Sequence, residues 1–274
     1  MLLKDAIEFT FENRESWATG KGSATARINT NHCLTILGNI PVEEIESKHY
    51  AKITKALKAK GRKPGTINRV LAALSTVINE LRQHGYKLDE PVYKRQRESK
   101  GRLEFYTHED IDQLLTAALA LKDNYLMFDS ILFASKTGCR QGEMLKLTVD
   151  DIDLENKKIT FRDVKTSGDH IIHMHSDLED TLERRIASAG CEGMVFPWEN
   201  KDQLLRQFRA IQTLAGVDTK MNWHHIRHTT ATWLVEKDVP LKVIMGVLNH
   251  SNINTTLRYA HAMDKSVQSA IELL

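Results

Sequence analysis

Apolar residues recur at helical spacing along most of this 274-residue chain, which limits it to a mainly helical fold. Leu3, Ala6, Ile7 and Phe11 show this spacing near the N-terminus, and a longer series runs through 67–81. One central stretch differs, because apolar and polar residues alternate over 152–174 around two turn signals. We therefore expect a mainly α protein that carries one small antiparallel β-sheet.

The chain is predicted to form two domains joined by a polar connector. Residues 1–88 have helical periodicity, and in the helix after Pro64-Gly65 the residue Thr66 is a plausible N-cap. Residues 89–103 lose the periodicity and are rich in basic side chains, as is typical of an interdomain linker. Residues 104–274 begin a second domain, where Thr107 is expected to cap the first helix.

Charge is distributed unevenly between these parts. The net charge is only +2, but residues 1–103 carry +8 and residues 104–274 carry −6. A dense basic run in 52–63 and the basic linker indicate contact with the phosphates of a nucleic acid, although solvated helix faces also carry such runs. The residues predicted to bind DNA are Lys55, Lys58, Arg62, Lys63, Thr66, Arg69, Lys94, Arg95 and Arg97.

Composition excludes several classes of protein. No apolar run reaches the length of about 18 residues that a membrane span needs, and the N-terminus does not resemble a signal peptide. The three cysteines are far apart, which argues against a disulfide framework and fits the cytoplasm. His224 and His228 are spaced like zinc ligands, but position 225 lacks the glutamate of the metalloprotease pattern, so no metal site is predicted.

Four segments carry chemically active side chains, although each alone is weak evidence. Thr137 to Leu145 places Arg140 after a glycine and before Glu143, and Lys165 lies between two predicted strands. Residues 222–229 hold three histidines and an arginine, of which His224, Arg227 and His228 share one helical face. Residues 248–261 contain two further candidates, which are His250 and Tyr259.

Together these segments resemble the tyrosine recombinases of the phage integrase family. The family's T-G-x-R-x-x-E, hairpin lysine, H-x-x-R-H-T, L-G-H-like and T-T-x-x-Y-x-H motifs occur here in the family's order, and the L-G-H-like motif reads L-N-H. Asn249 stands where the family usually has glycine. The resemblance implies a helical core-binding (SAM-like) domain at 1–88 and a mostly helical catalytic domain at 104–274. The implied catalytic residues are Arg140, Lys165, His224, Arg227, His250 and Tyr259.

The resemblance also implies a mechanism that uses no cofactor. Tyr259 would attack a DNA phosphodiester and form a 3′-phosphotyrosyl bond, with Arg140 and Arg227 on the phosphate. His224 would accept the tyrosine proton, Lys165 would protonate the leaving 5′ oxygen, and His250 would donate a hydrogen bond. Arginine suits this task because its planar, permanently charged fork matches a phosphate. Glu143 is expected to be a structural partner at the helix junction.

The expected partners are double-stranded DNA with core-type attachment sites and further copies of the chain. Family members recombine as tetramers, in which the apolar stripe of 264–274 would pack on a neighbouring protomer or on its own domain. A phage or mobile-element integrase is the favoured role, either compact or lacking an arm-binding domain. The alternatives are a host chromosome-resolving (Xer-like) recombinase, a type IB topoisomerase, a non-catalytic DNA-binding regulator and a histidine-based metalloenzyme.

Overall fold

A computed structural model describes residues 1–20, 22–98, 103–121, 125–164, 168–190 and 193–259. The chain divides into two compact units, Met1–Gly101 and Arg102–Leu274. Both are mostly helical, and the second contains a small antiparallel sheet, so the predicted fold class is confirmed. No helix within the described ranges is both long enough and apolar enough to cross a bilayer.

The first unit is a bundle of helices around one apolar core. Its helices are α1 (Leu3–Asn13), α2 (Glu15–Ala18), α3 (Ser23–Leu37), α4 (Ser47–Ala59) and α5 (Pro64–Gln83). The apolar positions that repeat at helical spacing in α1 and α5 are buried in this core. The basic residues of α4 and of the start of α5 lie between buried apolar positions of the same helices. They stay exposed and give the unit its positive surface.

Helix α5 starts earlier than the sequence predicts. Its first residue is Pro64 and the flanking position is Lys63, so Thr66 lies inside the first turn and the predicted N-cap is wrong. Proline suits the first helical position because its fixed φ is helical and its missing N–H would have no partner within the helix.

Residues 89–98 have no regular structure and lie along the first unit. The Tyr93 ring stacks on Tyr50, with centroids 4.8 Å apart. The Asn68 side chain accepts a hydrogen bond from the Gln96 backbone N–H at 2.8 Å and donates to the Gln96 carbonyl at 2.9 Å. These contacts hold the 89–98 part of the predicted linker against α4 and α5.

The second unit contains the remaining helices and the sheet. They are α6 (His108–Ala120), α7 (Tyr125–Thr137), α8 (Gln141–Met144), α9 (Glu179–Ala189), α10 (Lys201–Ala215), α11 (His224–Glu236), α12 (Leu241–Val247) and α13 (Ile253–Thr256). The predicted Thr107 cap of α6 is confirmed and is part of a capping box, because Thr107 Oγ1 accepts from Asp110 N–H and Asp110 accepts from Thr107 N–H.

The sheet has three antiparallel strands in the order β1 (Ile152–Asp153), β2 (Lys158–Val164) and β3 (Gly168–His173). In β2 the alternating residues Ile159 and Phe161 are buried in the core of the unit, as their spacing predicts. Lys165 falls between β2 and β3 in the sequence and lies outside the described residues, as does the segment 260–274.

A smaller apolar cluster packs α11 against α12 and the end of the described chain. Its buried members are Ala231, Val235, Ile244, Leu248 and Tyr259. Helix α11 also contacts α7. The three segments that the sequence singles out therefore lie close together, and they are 137–145, 222–229 and 248–259.

Candidate active site

Arg140 is oriented by partners on two segments of the second unit. Glu143 accepts hydrogen bonds from the Arg140 backbone N–H at 2.7 Å and from its Nη1 at 2.6 Å. Nη2 donates to the backbone carbonyl of Asn249 at 2.8 Å. The side chain nevertheless remains 41 % exposed, so the guanidinium is both held in one plane and accessible to a ligand. Glu143 therefore has the structural contact that the sequence predicts.

Arg227 is the buried counterpart of Arg140. It is only 4 % exposed, and it donates from Nη1 to the Gly138 carbonyl at 2.7 Å and from Nη2 to the Leu248 carbonyl. Burial, followed by repulsion from Arg140, lowers the pKa of Arg227 to about 10, which leaves it charged at neutral pH. Since Leu248 and Asn249 are consecutive, the two arginines bind adjacent carbonyls and are brought together on one turn.

Gly138, whose carbonyl accepts from Arg227, lies in a tightly packed position. Its φ is +61°, a conformation that side chains with a Cβ rarely adopt. A Cβ built there would lie 2.5 Å from Leu248 Cδ2 and 3.2 Å from Thr230 Cγ2. The T-G-x-R segment therefore needs glycine for both backbone conformation and packing.

The turn after α12 also positions His250. Its backbone N–H donates to the Met245 carbonyl at 2.9 Å, and its Nδ1 lies 2.9 Å from Thr256 Oγ1. Burial, with smaller effects from Arg227 and Arg140, lowers the pKa of His250 to about 4. A neutral imidazole with one N–H remains able to donate a hydrogen bond at neutral pH.

Asn249 adopts the backbone conformation that a glycine would take at this turn. Its φ is +48°, in the left-handed region that asparagine tolerates better than most residues. The departure from the family's usual glycine therefore leaves the turn and the carbonyl that binds Arg140 intact.

We expect Asn249→Gly to change the free energy of unfolding by less than about 1 kcal/mol and Asn249→Ala to lower it by roughly 1 kcal/mol. Alanine bears the left-handed penalty that glycine avoids. The Asn249 Nδ2 atom is buried without a hydrogen-bond partner among the described residues, so neither change breaks a side-chain bond there. Urea unfolding of the three proteins checks the order, and equal stability of the two variants would contradict it.

Tyr259 is buried and its hydroxyl lies against a histidine of α11. The residue is 4 % exposed, and its hydroxyl oxygen lies 2.6 Å from Nδ1 of His228. Burial raises the pKa of Tyr259, and the cations Arg227 and Arg258 partly oppose that effect. The ring of His224 lies next to that of His228, at 4.7 Å between centroids.

His228 is the functional candidate that the sequence reasoning missed. Its place on the same helical face as His224 and Arg227 follows from the spacing, but that spacing assigns it no partner. The structure pairs His228 with Tyr259, 31 positions away in the chain. Of the other catalytic candidates, Arg140, Arg227 and His250 meet at the turn after α12, and Lys165 lies outside the described residues.

The predicted DNA-binding residues lie on the first unit. Eight of the nine are exposed cations, and Thr66 is half-buried. Lys55, Lys58 and Lys94 line one groove of about 670 Å³ beside the stacked Tyr50 and Tyr93 rings. Among the described residues, one of these eight cations has an acidic partner. Arg95 Nη2 lies 4.0 Å from Glu98 Oε1.

No group of three or more histidine, cysteine or acidic side chains in the described ranges is arranged to hold a metal ion. The histidines of α11 instead contact one another and Tyr259 through their rings. At the turn after α12, Arg140 and Arg227 are positive groups that a phosphate could contact.

Comparison with known proteins gives the family. Residues 104–266 match the model of the phage integrase family, which is more than half of the chain. The chain belongs to the phage integrase family. A tyrosine recombinase of Pseudothermotoga lettingae is 27 % identical over 251 residues, covering 88 % of this chain and 87 % of the relative. The tyrosine recombinase XerA of Pyrococcus furiosus is 25 % identical over 266 residues, covering 92 % and 88 %.

Solved structures share the fold. The integrase of the transposon Tn1549, in complex with transposon right end DNA, has a TM-score of 0.84 at 18 % identity, covering 99 % of both chains. A lambda integrase dimer bound to a COC′ core site has a TM-score of 0.75 at 18 % identity, covering 93 % of this chain and 97 % of that one. The chain is thus a tyrosine recombinase with the mainly helical fold of its family.

Proposed function

We propose that the chain is the integrase of a phage or other mobile element, which recombines DNA at specific sites. The observation that carries this proposal is the pair Arg140 and Arg227, bound to the consecutive carbonyls of Asn249 and Leu248. Two guanidiniums fixed next to each other suit the non-bridging oxygens of one phosphate. His250 belongs to the same turn and would add a hydrogen bond.

Tyr259 would be the nucleophile. Its oxygen forms a bond to the phosphorus, and the bond from phosphorus to the 5′ oxygen breaks, which leaves a 3′-phosphotyrosyl link. A histidine of α11 takes the phenol proton, and Lys165 gives a proton to the departing 5′ oxygen. The arginines stabilise the charge that develops on the non-bridging oxygens.

The covalent intermediate would make strand exchange independent of an energy source. The phosphotyrosyl link replaces the phosphodiester it came from, so a 5′ hydroxyl of another strand can attack it and release Tyr259. Two such exchanges would join two duplexes through a Holliday junction. A lambda integrase tetramer bound to a Holliday junction has this fold, with a TM-score of 0.76, which supports a tetramer for this chain.

The partners in this proposal are double-stranded DNA with core-type sites and three further copies of the chain, meeting in the cytoplasm. The segment 264–274, outside the described residues, would join neighbouring protomers. The proposed domains are a core-binding domain at 1–88, a linker at 89–103 and the catalytic domain at 104–274. The Xer names of several relatives favour a chromosome-resolving recombinase as the second candidate.

Capture of a covalent adduct tests the proposal. The wild-type chain is incubated with a randomised duplex library that carries a nick, because loss of the short 5′ fragment prevents rejoining. We expect a denaturant-resistant adduct whose peptide map places the DNA 3′ phosphate on Tyr259. Absence of any adduct, or attachment at another residue, would contradict the proposal.

The sequence of the captured DNA separates the candidate roles. Enrichment of one site that occurs at the ends of a mobile element supports an integrase, and a single chromosomal site supports the Xer-like role. Relaxation of supercoiled plasmid that lacks the captured site would indicate a type IB topoisomerase instead.

Binding to the captured duplex should weaken steeply with salt, because each neutralised phosphate releases counterions. The variants Lys55→Gln and Lys58→Gln should each reduce the slope of log affinity against log salt by about 1. Lys4→Gln is the matched control, since Lys4 is an exposed cation on α1 rather than on the groove. Equal slopes for all four proteins would exclude these lysines from phosphate contact.

A further inference from the structure

We propose that His228, rather than His224, holds the Tyr259 hydroxyl and takes its proton during DNA cleavage. This assignment rests on the proposed function, in which Tyr259 is the nucleophile. It departs from the role that the family resemblance gives to His224, and it follows from which imidazole the structure brings to the hydroxyl.

The contact is direct and has the geometry of a strong hydrogen bond. His228 Nδ1 and the Tyr259 oxygen lie 2.6 Å apart. At this distance a hydroxyl can donate a hydrogen bond to the nitrogen, and a general base can take the hydroxyl proton. The half-buried imidazole is surrounded by rings, with centroid distances of 4.7 Å to His224, 5.7 Å to His225 and 5.7 Å to Tyr259. These neighbours restrict the orientation of the acceptor nitrogen.

Burial and the charges around His228 keep it neutral in the free protein. Burial, followed by His224, His225, Arg258 and Arg227, lowers its pKa to about 3. In a neutral imidazole one nitrogen carries the proton and the other accepts. A phenol donating to Nδ1 requires the proton on Nε2. His228 can therefore accept from Tyr259 throughout the neutral pH range.

A bound phosphate would make this acceptor a stronger base. The negative charge offsets the repulsion that Arg227 and Arg258 exert on a protonated His228, which raises the pKa of the imidazole. The proton then moves from the Tyr259 oxygen to Nδ1 as the oxygen–phosphorus bond forms. In rejoining, Nδ1 returns the proton to Tyr259 as the phosphotyrosyl bond breaks.

Three variants of α11 separate proton transfer from mere positioning. His228→Ala removes the acceptor. His228→Asn places an amide oxygen near the position of Nδ1, so it can hold the hydroxyl but takes no proton. Glu236→Gln is the control, because Glu236 is exposed at the C-terminal end of α11 and is not among the groups that contact the His228 ring. Circular dichroism and affinity for the captured duplex verify that each variant folds.

We expect single-turnover cleavage of the captured nicked duplex at pH 7 to fall about 100-fold or more in both His228 variants. The wild-type rate should change little between pH 7 and 9. The His228 variants should gain about tenfold per pH unit, because solvent hydroxide must then remove the proton. Glu236→Gln should behave like the wild type.

Three cleavage results would overturn the proposal. A wild-type rate in His228→Asn would reduce the residue to positioning, and faster cleavage by His228→Ala would make the contact a restraint on Tyr259. Recovery of the His228 variants on a duplex with sulfur at the 5′ leaving position would place the defect at the leaving group. Sulfur leaves without protonation, so that duplex should rescue Lys165→Ala alone.

Nitrogen NMR of the free protein tests the contact between His228 and Tyr259 without DNA. The result of this test is valid even if no adduct forms and the proposed function fails. With ¹⁵N-labelled histidine, His228 should have a bare Nδ1 and a protonated Nε2 from pH 5 to 8. Its Nδ1 resonance should shift in Tyr259→Phe and stay in place in Tyr125→Phe. A protonated Nδ1, or no response to loss of the Tyr259 hydroxyl, would overturn the assignment.

Discussion

Tyr259→Phe is expected to abolish covalent attachment to DNA while leaving affinity for the captured duplex within about twofold. Phenylalanine keeps the ring in the cluster with Ile244 and Leu248 and removes only the hydroxyl. The lost hydrogen bond to His228 should reduce the free energy of unfolding by roughly 1 kcal/mol, too little to unfold a domain of this size. Denaturing gel electrophoresis measures the adduct, and fluorescence anisotropy measures the affinity.

The same change at another tyrosine is the control. Tyr125 is 54 % exposed at the start of α7, so Tyr125→Phe removes a hydroxyl from the same unit without altering the site. It should form the adduct at the wild-type rate. Persistence of the adduct in Tyr259→Phe would remove Tyr259 from the nucleophile's role, and loss of the adduct in Tyr125→Phe would point to a general effect on folding.

The elements that carry the site could be predicted because their determinants are local. Thr107 and Asp110 cap α6 as the capping-box spacing indicates, and the alternation of Ile159 with Phe161 identifies the core face of β2. Thr66 was predicted wrongly because two local signals compete at the start of α5. A proline at the first helical position prevailed over a threonine two residues later.

The contacts inside the site depend on tertiary packing, which helical spacing does not encode. Helical spacing places both His224 and His228 on one face, so it does not show which of them contacts Tyr259. The packing of Tyr259 beside α11 distinguishes them. The same holds for Arg227, whose burial against the Gly138 and Leu248 carbonyls joins positions 89 and 21 residues away. Motifs indicate which residues form the candidate site, whereas the packing sets their partners.

Charge illustrates the same division between composition and placement. The excess of cations in 1–103 indicates a polyanionic partner, but the groove that gathers Lys55, Lys58 and Lys94 depends on how 89–98 lies on α4. Tyr93 stacks on Tyr50 there, and Ser47 Oγ donates to the Val92 carbonyl at 2.8 Å. The loss of helical periodicity over 89–103 predicts a linker, but it gives no information about these contacts.

Arg227→Lys is expected to slow cleavage of the captured duplex about 10³-fold even though it preserves the charge. Arg227 binds the Gly138 and Leu248 carbonyls through two nitrogens of one rigid plane, which fixes the direction of its remaining donors. A lysine ammonium is a single point donor and cannot bind both carbonyls and a phosphate in that arrangement. Loss of one preorganised donor to a developing oxyanion costs about 10²–10³-fold elsewhere.

The same substitution should also lower stability, because at least one buried carbonyl loses its partner at a cost of about 1–3 kcal/mol. Urea unfolding measures that loss, and single-turnover cleavage measured far below the unfolding midpoint keeps it separate from the rate. Arg209→Lys on the exposed face of α10 is the matched control and should change neither quantity. A cleavage rate for Arg227→Lys within tenfold of the wild type would show that charge alone suffices, and the planar two-carbonyl arrangement would then have no part in catalysis.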